Sequence, residues 1–271
     1  KVTLPPSASV PGVVVSPSAL SGSIGVSFAL TEHTRLVANV GRGFRAPNVF
    51  DLGVFGDRPG NRFSIPNPDL GPERVLGGDI GIKYDDGGFG VEAFAYASHF
   101  NDKIVSALTG DTTASGRLVV QNRNAARARS YGVEMGTHWN ISDTLSARGA
   151  INFTRGTEIL DGVKSDGDRI PPLTVDVAVD WQASSALRLG AGAMTAGRQD
   201  RLSGRDLTDP RIDPTGTPGW TRWDVSAHYS ITPNLDVLGR LDNLADRNYR
   251  EHGSGINATG RNLTLGVDWR F

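Results

Sequence analysis

The sequence predicts an all-β fold and, within that class, a transmembrane antiparallel β-barrel. The first observation is alternation, because apolar residues repeatedly occupy every second position, and no helical period occurs along the chain. The second is that the connections alternate between short turns and long irregular loops. The third is a hydrophobic fraction of 38%, which is low for 271 residues with a conventional buried core.

The elements can be assigned in chain order. Residues 1–19 are rich in proline and serine and are expected to form a loop or a poorly ordered edge segment. Residues 20–271 are expected to form a barrel portion with eleven strands: GSIGVSFALT, RLVANVGRGF, RVLGGDIGIKY, FGVEAFAYASHF, SYGVEMGTHW, TLSARGAINF, LTVDVAVDW, LRLGAGAMT, WDVSAHYSI, LDVLGRLDNL and RNLTLGVDWRF.

Connection length then orients these strands. Tight turns join them in pairs: EHT, DDGG, NISD, QASSA and TPN. Long irregular stretches separate the pairs: 46–72, about 101–116, 155–169, 198–219 and 246–260. Short periplasmic turns and long extracellular loops are typical of outer-membrane barrels, whereas a soluble sandwich has loops of mixed length at both ends. Because a closed bacterial barrel needs an even strand number, one strand is expected from residues 1–19, or the missing strands precede residue 1.

The two faces of each expected strand differ in polarity. In one strand, the apolar members are Leu173, Val175, Val177, Val179 and Trp181, and the opposite members are Thr174, Asp176, Ala178, Asp180 and Gln182. We expect the first face to contact lipid and the second to line a wet lumen. Aromatic residues near strand ends are expected to form interfacial girdles: Tyr84, Trp139, Trp181, Trp220, Trp223, Tyr229 and Trp269. Charged residues on the last strands are expected to form cross-strand pairs: Arg222, Asp224, Asp236, Arg240, Asp242, Asp268 and Arg270.

Composition excludes several functional classes. The net charge of -1 offers no bulk attraction for nucleic acid, so no nucleic-acid partner is expected. The absence of cysteine excludes thiolate chemistry and disulfides. The five histidines lack metal-ligand spacing, and no G-x-S-x-G, H-E-x-x-H or P-loop pattern occurs. We therefore expect no enzyme, no metal site and no cofactor.

Four segments, in order, carry a resemblance to a known family. They are GRGFRAPN (41–48), NPDLGPER (67–74), VQNRNAARARSYGVEMGTHW (120–139) and the end of the chain from LDNLADRNY onward. Together they resemble the barrels of TonB-dependent outer-membrane receptors, where a G-F-R-A-P strand end precedes N-P-x-L-x-P-E and the last strand ends in Phe.

The resemblance implies a 22-stranded barrel with an N-terminal plug domain and a TonB-contacting segment. About 11–12 strands of such a barrel are expected here, as its C-terminal portion with the plug domain absent. The implied function is energy-coupled uptake of a ferric siderophore or similar metal chelate across the outer membrane of a Gram-negative bacterium. The implied partners are outer-membrane lipid, the chelate, and TonB through the absent segment. The alternatives are a passive porin-like channel and a soluble β-sandwich binding module.

Long-loop arginines are the candidate ligand-binding residues, because a guanidinium binds anionic chelates through a bidentate fork. They are Arg58, Arg62, Arg198, Arg201, Arg205 and Arg211, and residues 197–213 could form a mobile cap. Glu251 and His252 could contact a metal chelate or haem, the favoured alternative being that they are solvated loop residues.

The last strand suggests an assembly signal. Leu263, Leu265, Val267, Trp269 and Phe271 form an alternate apolar set. Recognition by strand addition reads such sets through main-chain hydrogen bonds and side-chain pockets. We expect Trp269 and Phe271 to mark the strand for the outer-membrane assembly machinery, the alternative being a chain end that merely coincides with a strand end.

Overall fold

The computed structural model describes residues 2–4, 13–15 and 18–271. Within the N-terminal part, β1 (Val2–Leu4) pairs with β2 (Val13–Val15) in a two-stranded antiparallel sheet of its own. The prediction for residues 1–19 otherwise lies outside the described residues. Of the described residues, none forms a helix long and apolar enough to cross a membrane.

The main sheet contains the remaining strands, with two short helices in its loops. The elements are β3 (Gly22–Ala29), β4 (Thr34–Arg45), α1 (Val49–Gly53), β5 (Gly56–Arg58), β6 (Arg62–Ile65), β7 (Glu73–Asp85), β8 (Phe89–Thr112), β9 (Leu118–Ser142), β10 (Leu145–Leu160), β11 (Val163–Asp166), β12 (Thr174–Gln182), β13 (Leu187–Ala196), α2 (Gly204–Leu207), β14 (Trp220–Thr232), β15 (Leu235–Asp242) and β16 (Asn262–Trp269).

Eleven strands form one antiparallel meander, in the order β16-β15-β14-β13-β12-β10-β9-β8-β7-β4-β3. The prediction of eleven strands is confirmed, and the five predicted tight turns lie on one rim of the sheet. The small strands β5, β6 and β11 belong to loops on the other rim, where β6 pairs in parallel with β9. Because β3 and β16 are its edges, the 14-stranded main sheet is a single open wall, and it is not divided into the two packed sheets of a sandwich.

Cross-strand register confirms that the two faces differ. Val177 lies opposite Gly149 and Ala193, and Val179 lies opposite Ala147 and Ala191. We call this side the apolar face. On the other side, the polar face, Asp180 accepts a hydrogen bond from Arg148 at 3.1 Å.

Aromatic side chains of the apolar face form a row beside the short turns: Tyr84, Phe89, Trp139, Trp181, Tyr229 and Trp269. The assignment of Trp220 to a girdle was wrong. Trp220 and Trp223 are three positions apart and therefore lie on opposite faces of β14. Trp220 is buried on the polar face, with its ring centroid 4.2 Å from that of Tyr249.

Two of the expected cross-strand charge pairs, Arg270 with Asp236 and Arg240 with Asp224, occur on the polar face of the last strands, whereas Arg240 also pairs with Asp242 on its own strand. Arg270 lies 2.5 Å from Asp236, and Arg240 lies 2.7 Å from Asp242 and 4.0 Å from Asp224. Such ion pairs neutralise charges on a surface that faces water. Because they are partly exposed, each contributes about 1 kcal/mol or less to folding stability.

Residues 101–116 are not irregular as predicted, because β8 and β9 continue far beyond their neighbours as strands of 24 and 25 residues. The pairing shifts register after Phe100 and again after Leu108, which marks bulges in the extension. Beyond the bilayer both faces of a hairpin meet water, so apolar alternation is lost while backbone pairing persists. Two side chains of the extension, Val119 and Val120, are buried, as is Leu52 of α1.

Candidate outer-loop site

Three loops on the long-loop rim interlock into one unit, which we call the three-loop cluster: residues 161–173, 197–219 and 243–261. Arg169 joins all three. Its guanidinium donates to Asp209, lies 3.5 Å from Asp206 Oδ1 through Nε, and lies 3.5 Å from the carbonyl oxygen of Gly253 through Nη1. Gly253 has a φ of +78°, and a Cβ there would collide with this guanidinium, so the position requires glycine.

Asp206 anchors the middle loop from inside. Its side chain is fully buried, and it belongs to a capping box in which Ser203 Oγ accepts from Asp206 N at 3.0 Å while Asp206 Oδ2 accepts from Ser203 N at 3.1 Å. The same oxygen lies 3.4 Å from the backbone N of Arg169. The Asp206 carboxylate therefore caps the first turn of α2 and links this turn to the preceding loop.

Further contacts close the unit around this pair. Gln199 donates from Nε2 to the carbonyl oxygen of Ile170 at 2.7 Å, and Thr217 pairs with Gln199 through two backbone hydrogen bonds. Thr217 Oγ1 lies 2.9 Å from His252 Nδ1. The segment 197–213, considered as a mobile cap, is thus tied to both neighbouring loops.

The third loop is held by a buried asparagine. Asn243 adopts a positive φ of 53°, accepts from the backbone N of Arg247 at 2.8 Å and donates to the Arg247 carbonyl oxygen at 2.9 Å. Its own backbone N donates to Asp224 Oδ1 at 2.9 Å. Asparagine tolerates this left-handed backbone better than most residues, which gives the Asn of the N-L-x-D segment a physical role.

Four of the six candidate arginines lie in the three-loop cluster, and each is close to an aspartate. Arg205 lies 3.0 Å from Asp168, Arg201 lies 3.8 Å from Asp166 and Arg198 lies 3.8 Å from Asp200. Arg211 forms a bidentate pair with Asp209 at 2.7 and 2.9 Å. The hydrogen bonds from Arg211, together with the charge of Arg169, lower the pKa of Asp209 well below its usual range.

Arg58 and Arg62 lie elsewhere, directly opposite each other in the β5–β6 hairpin of loop 46–72. That loop is fixed by Arg45, which lies 2.6 Å from Asp51 and 2.5 Å from Glu73. The Arg of GFRAPN and the Glu of NPDLGPER are therefore partners across β4 and β7, which explains why the two segments occur together.

Glu251 is exposed, while His252 is partly buried against Thr217. Burial lowers the pKa of His252 from 6.5; the nearby Asp206 opposes this effect and Arg169 adds to it. Within the described ranges no three His, Cys, Asp or Glu side chains are arranged to hold a metal ion. His252 is therefore placed to respond to protons and to donate or accept hydrogen bonds.

The lowered pKa of His252 predicts a pH dependence of loop packing. The open loop binds a proton near pH 6.5 and the closed loop only at lower pH, so this contribution to closure is complete above 6.5 and is lost as the pH falls. We expect faster hydrogen–deuterium exchange at Thr217 and Gly253 at pH 5.5 than at 7.5, after correction for intrinsic rates. The His252→Gln variant should lose this difference. An equal pH effect in both proteins would contradict the assignment.

Sequence reasoning missed Arg169 and Asp206, the two residues that organise the cluster. A signal for Asp206 was present, because Ser203-Gly-Arg-Asp206 fits the S-x-x-D spacing of a capping box. Arg169 had no comparable signal, since its partners Asp206, Asp209 and Gly253 are all distant in sequence.

A one-sheet wall with an apolar face, a charged face, tight turns at one rim and interlocked loops at the other defines a transmembrane β-barrel of the receptor type. The chain belongs to the TonB-dependent receptor family, since the family model described as "TonB dependent receptor-like, beta-barrel" matches residues 4–244. The apolar face is accordingly the lipid side and the polar face the lumen side. This family consists of receptors and transporters, not enzymes.

Relatives and solved structures agree with this assignment. The chain is 26% identical over 255 residues to the ferric enterobactin receptor PirA of Pseudomonas aeruginosa, covering 88% of this chain and 34% of that protein. It is 27% identical over 254 residues to the vitamin B12 transporter BtuB of Vibrio vulnificus, covering 92% of this chain and 37% of the relative. The chain thus spans about a third of the length of these relatives.

Two solved structures have the same fold. The copper transporter OprC superposes with a TM-score of 0.73 at 20% identity, covering 93% of this chain and 39% of that chain. A mutant ferric enterobactin receptor from Pseudomonas aeruginosa, in complex with enterobactin, superposes with a TM-score of 0.72 at 20% identity, covering 97% of this chain and 41% of the other.

Proposed function

We propose that this chain forms wall and outer loops of a receptor in the outer membrane of a Gram-negative bacterium, which takes up a ferric siderophore or a similar metal chelate. The observation that carries the proposal is the three-loop cluster, in which Arg169 and Asp206 hold neighbouring loops together at the long-loop rim. Relatives named for ferric enterobactin and for vitamin B12 support a chelate as cargo.

The exposed loop arginines would contribute affinity. The Arg205 and Arg201 side chains are 77% and 54% exposed, so most of each guanidinium can still meet a ligand while Asp168 and Asp166 orient it. The guanidinium group of arginine can donate two parallel hydrogen bonds to an oxyanion of an anionic chelate. Arg58 and Arg62, Arg198 and Arg211, and Glu251 and His252 are further ligand contacts in this proposal. No bond is made or broken in the cargo, and energy would come from TonB acting on an N-terminal segment of the whole protein.

A loop variant tests the proposed binding face. We expect the double change Arg201→Ala with Arg205→Ala, in the complete gene product, to weaken binding of ferric enterobactin as probe at least tenfold, because two charge-assisted contacts are lost. Titration of the purified receptor in detergent measures this. Replacing 198–213 with a Gly/Ser loop should have a larger effect, while the folded barrel persists.

The matched control is Arg188→Ala, an exposed arginine of the polar face beside the short-turn rim. It should leave affinity unchanged. Unchanged affinity in the loop variants, with an intact barrel, would contradict the proposed face. An open-channel conductance without cargo uptake would favour the passive-pore alternative.

We also propose that Trp269 and Phe271 belong to the signal read by the outer-membrane assembly machinery. Both rings lie near each other, with centroids 6.3 Å apart, and Trp269 is 69% exposed on the apolar face. Recognition by strand addition would take main-chain hydrogen bonds from β16 and read its alternate apolar side chains.

A further inference from the structure

A patch of arginines lies on the lipid side of the wall, where charge is least expected. On β9 and β10 the apolar face ends in Tyr131 and Phe153, and the next positions on the same face are Arg129 and Arg155, followed by Arg127. Arg127 and Arg129 are exposed and Arg155 is half-buried. These three arginines, which we call the rim arginines, are not part of the three-loop cluster or of the lumen.

The height of the patch matches the outer boundary of a bilayer. Arg129 lies ten positions along β9 from Trp139, in the aromatic row beside the short turns. At about 3.4 Å per residue and a tilt of about 40°, the vertical rise is roughly 26 Å. The apolar band of such barrels is about 25 Å tall, so the rim arginines reach the level of the lipid headgroups.

Within residues 18–271, the rim arginines form no ion pair with a carboxylate. The carboxylates at the same end of β8, β9 and β10 are paired with other cations: Asp102 with Arg74, Glu158 with Lys103 and Asp161 with Arg123. Arg129 donates only to a histidine, with Nε 3.2 Å from His99 Nδ1. Because Arg155 lies opposite Tyr131, it is the diagonal neighbour of Arg129, about 7–8 Å away, and the two like charges repel.

We propose that the rim arginines bind phosphate groups of an anionic lipid in the outer leaflet. The guanidinium of Arg155 lies 5.3 Å from the centre of the Phe153 ring, so its stem covers apolar surface while its N–H groups stay free for an anion. A phosphate placed between neighbouring guanidiniums would relieve their repulsion and accept bidentate hydrogen bonds. The lipid-facing position selects a membrane lipid over a soluble anion. This inference rests on the proposed outer-membrane location but not on the proposed cargo.

The test compares two charge-matched triple variants of the complete gene product in detergent. The first is Arg127→Gln with Arg129→Gln and Arg155→Gln. The control is Arg35→Gln with Arg148→Gln and Arg188→Gln, three exposed arginines of the polar face. Native mass spectrometry measures binding of diphosphoryl lipid A, with phosphatidylethanolamine and inorganic phosphate as separate arms. We expect the first variant to bind diphosphoryl lipid A at least tenfold more weakly, and the control to bind as the parent does.

Folding and cargo binding are followed separately, by heat-modifiable gel migration and by titration with ferric enterobactin. If the first variant does not fold, Arg155→Gln alone should still weaken lipid binding about threefold. Unchanged lipid binding in the folded variants, an equal loss in the control, or displacement of the lipid by millimolar inorganic phosphate would each overturn the proposal. If the parent protein does not bind ferric enterobactin, this result would instead count against the proposed function.

Discussion

Replacing Val177 with arginine is expected to cost about 2–4 kcal/mol of barrel stability, because it puts a charge near the middle of the lipid-facing side. Val177 is 48% exposed on the apolar face and lies four positions along β12 from Trp181, in the aromatic row beside the short turns. Four residues rise roughly 10 Å in a tilted strand, which is close to the centre of a band about 25 Å tall. Its neighbours Gly149 and Ala193 offer no carboxylate partner.

The matched control is Ala178→Arg, one position further along the same strand. Ala178 lies on the polar face between Asp176 and Asp180 and opposite Arg148, where a new guanidinium meets water and two carboxylates that offset the like charge of Arg148. Equilibrium refolding of the complete gene product into lipid vesicles across a urea series measures both variants. Equal loss of stability in the two would show that the faces are assigned wrongly.

Strands were predictable from sequence wherever the bilayer imposes different surroundings on their two faces. The segment LTVDVAVDW became β12 with its large apolar side chains, Val175, Val177, Val179 and Trp181, on one face, because positions that face the lipid core favour apolar residues and lumen-facing positions need not be apolar. Once β8 and β9 leave the bilayer, this constraint ends, and residues 101–112 carry no alternation although β8 stays paired with β9 over most of this stretch. Hydrogen bonding of the backbone there leaves no pattern in side-chain polarity.

The positions of the candidate arginines in long loops were predictable from sequence, but their partners were not. The loops that carry them lie on one rim of the sheet, yet the partner of Arg205 is Asp168, 37 residues away, and nothing local indicates this pair. The same holds for Arg169, whose contacts depend on three loops meeting. The register of the strands that carry the loops decides which loop residues meet. The partners in this charge network can therefore be identified only once the fold is known.

Removing the carboxylate of Asp206 is expected to loosen the three-loop cluster by about 3 kcal/mol, the size of effect seen when one partner of a buried ion pair is deleted. The Asp206 side chain is fully buried, and Asp206→Ala leaves the backbone N of Ser203 without its acceptor and Arg169 with only Asp209. The wall should be unaffected, because its strands are held by backbone pairing and by lipid contact. The loss should therefore appear as local opening of residues 197–219, not as unfolding of the barrel.

Trypsin can measure this opening, since Arg211 is a cleavage site inside the protected loop whose flanking residues are the same in the parent and in the variant. When opening and closing are fast, the cleavage rate follows the open population, so a change of about 3 kcal/mol corresponds to roughly 100-fold faster cleavage. The control is Asp200→Ala in the same loop, where the carboxylate is 64% exposed and 3.8 Å from Arg198, and where a surface pair contributes little. Cleavage at the same rate in the two variants would mean that the cluster is not held by its buried carboxylate, and that the loops meet through packing of Trp220 and Tyr249 instead.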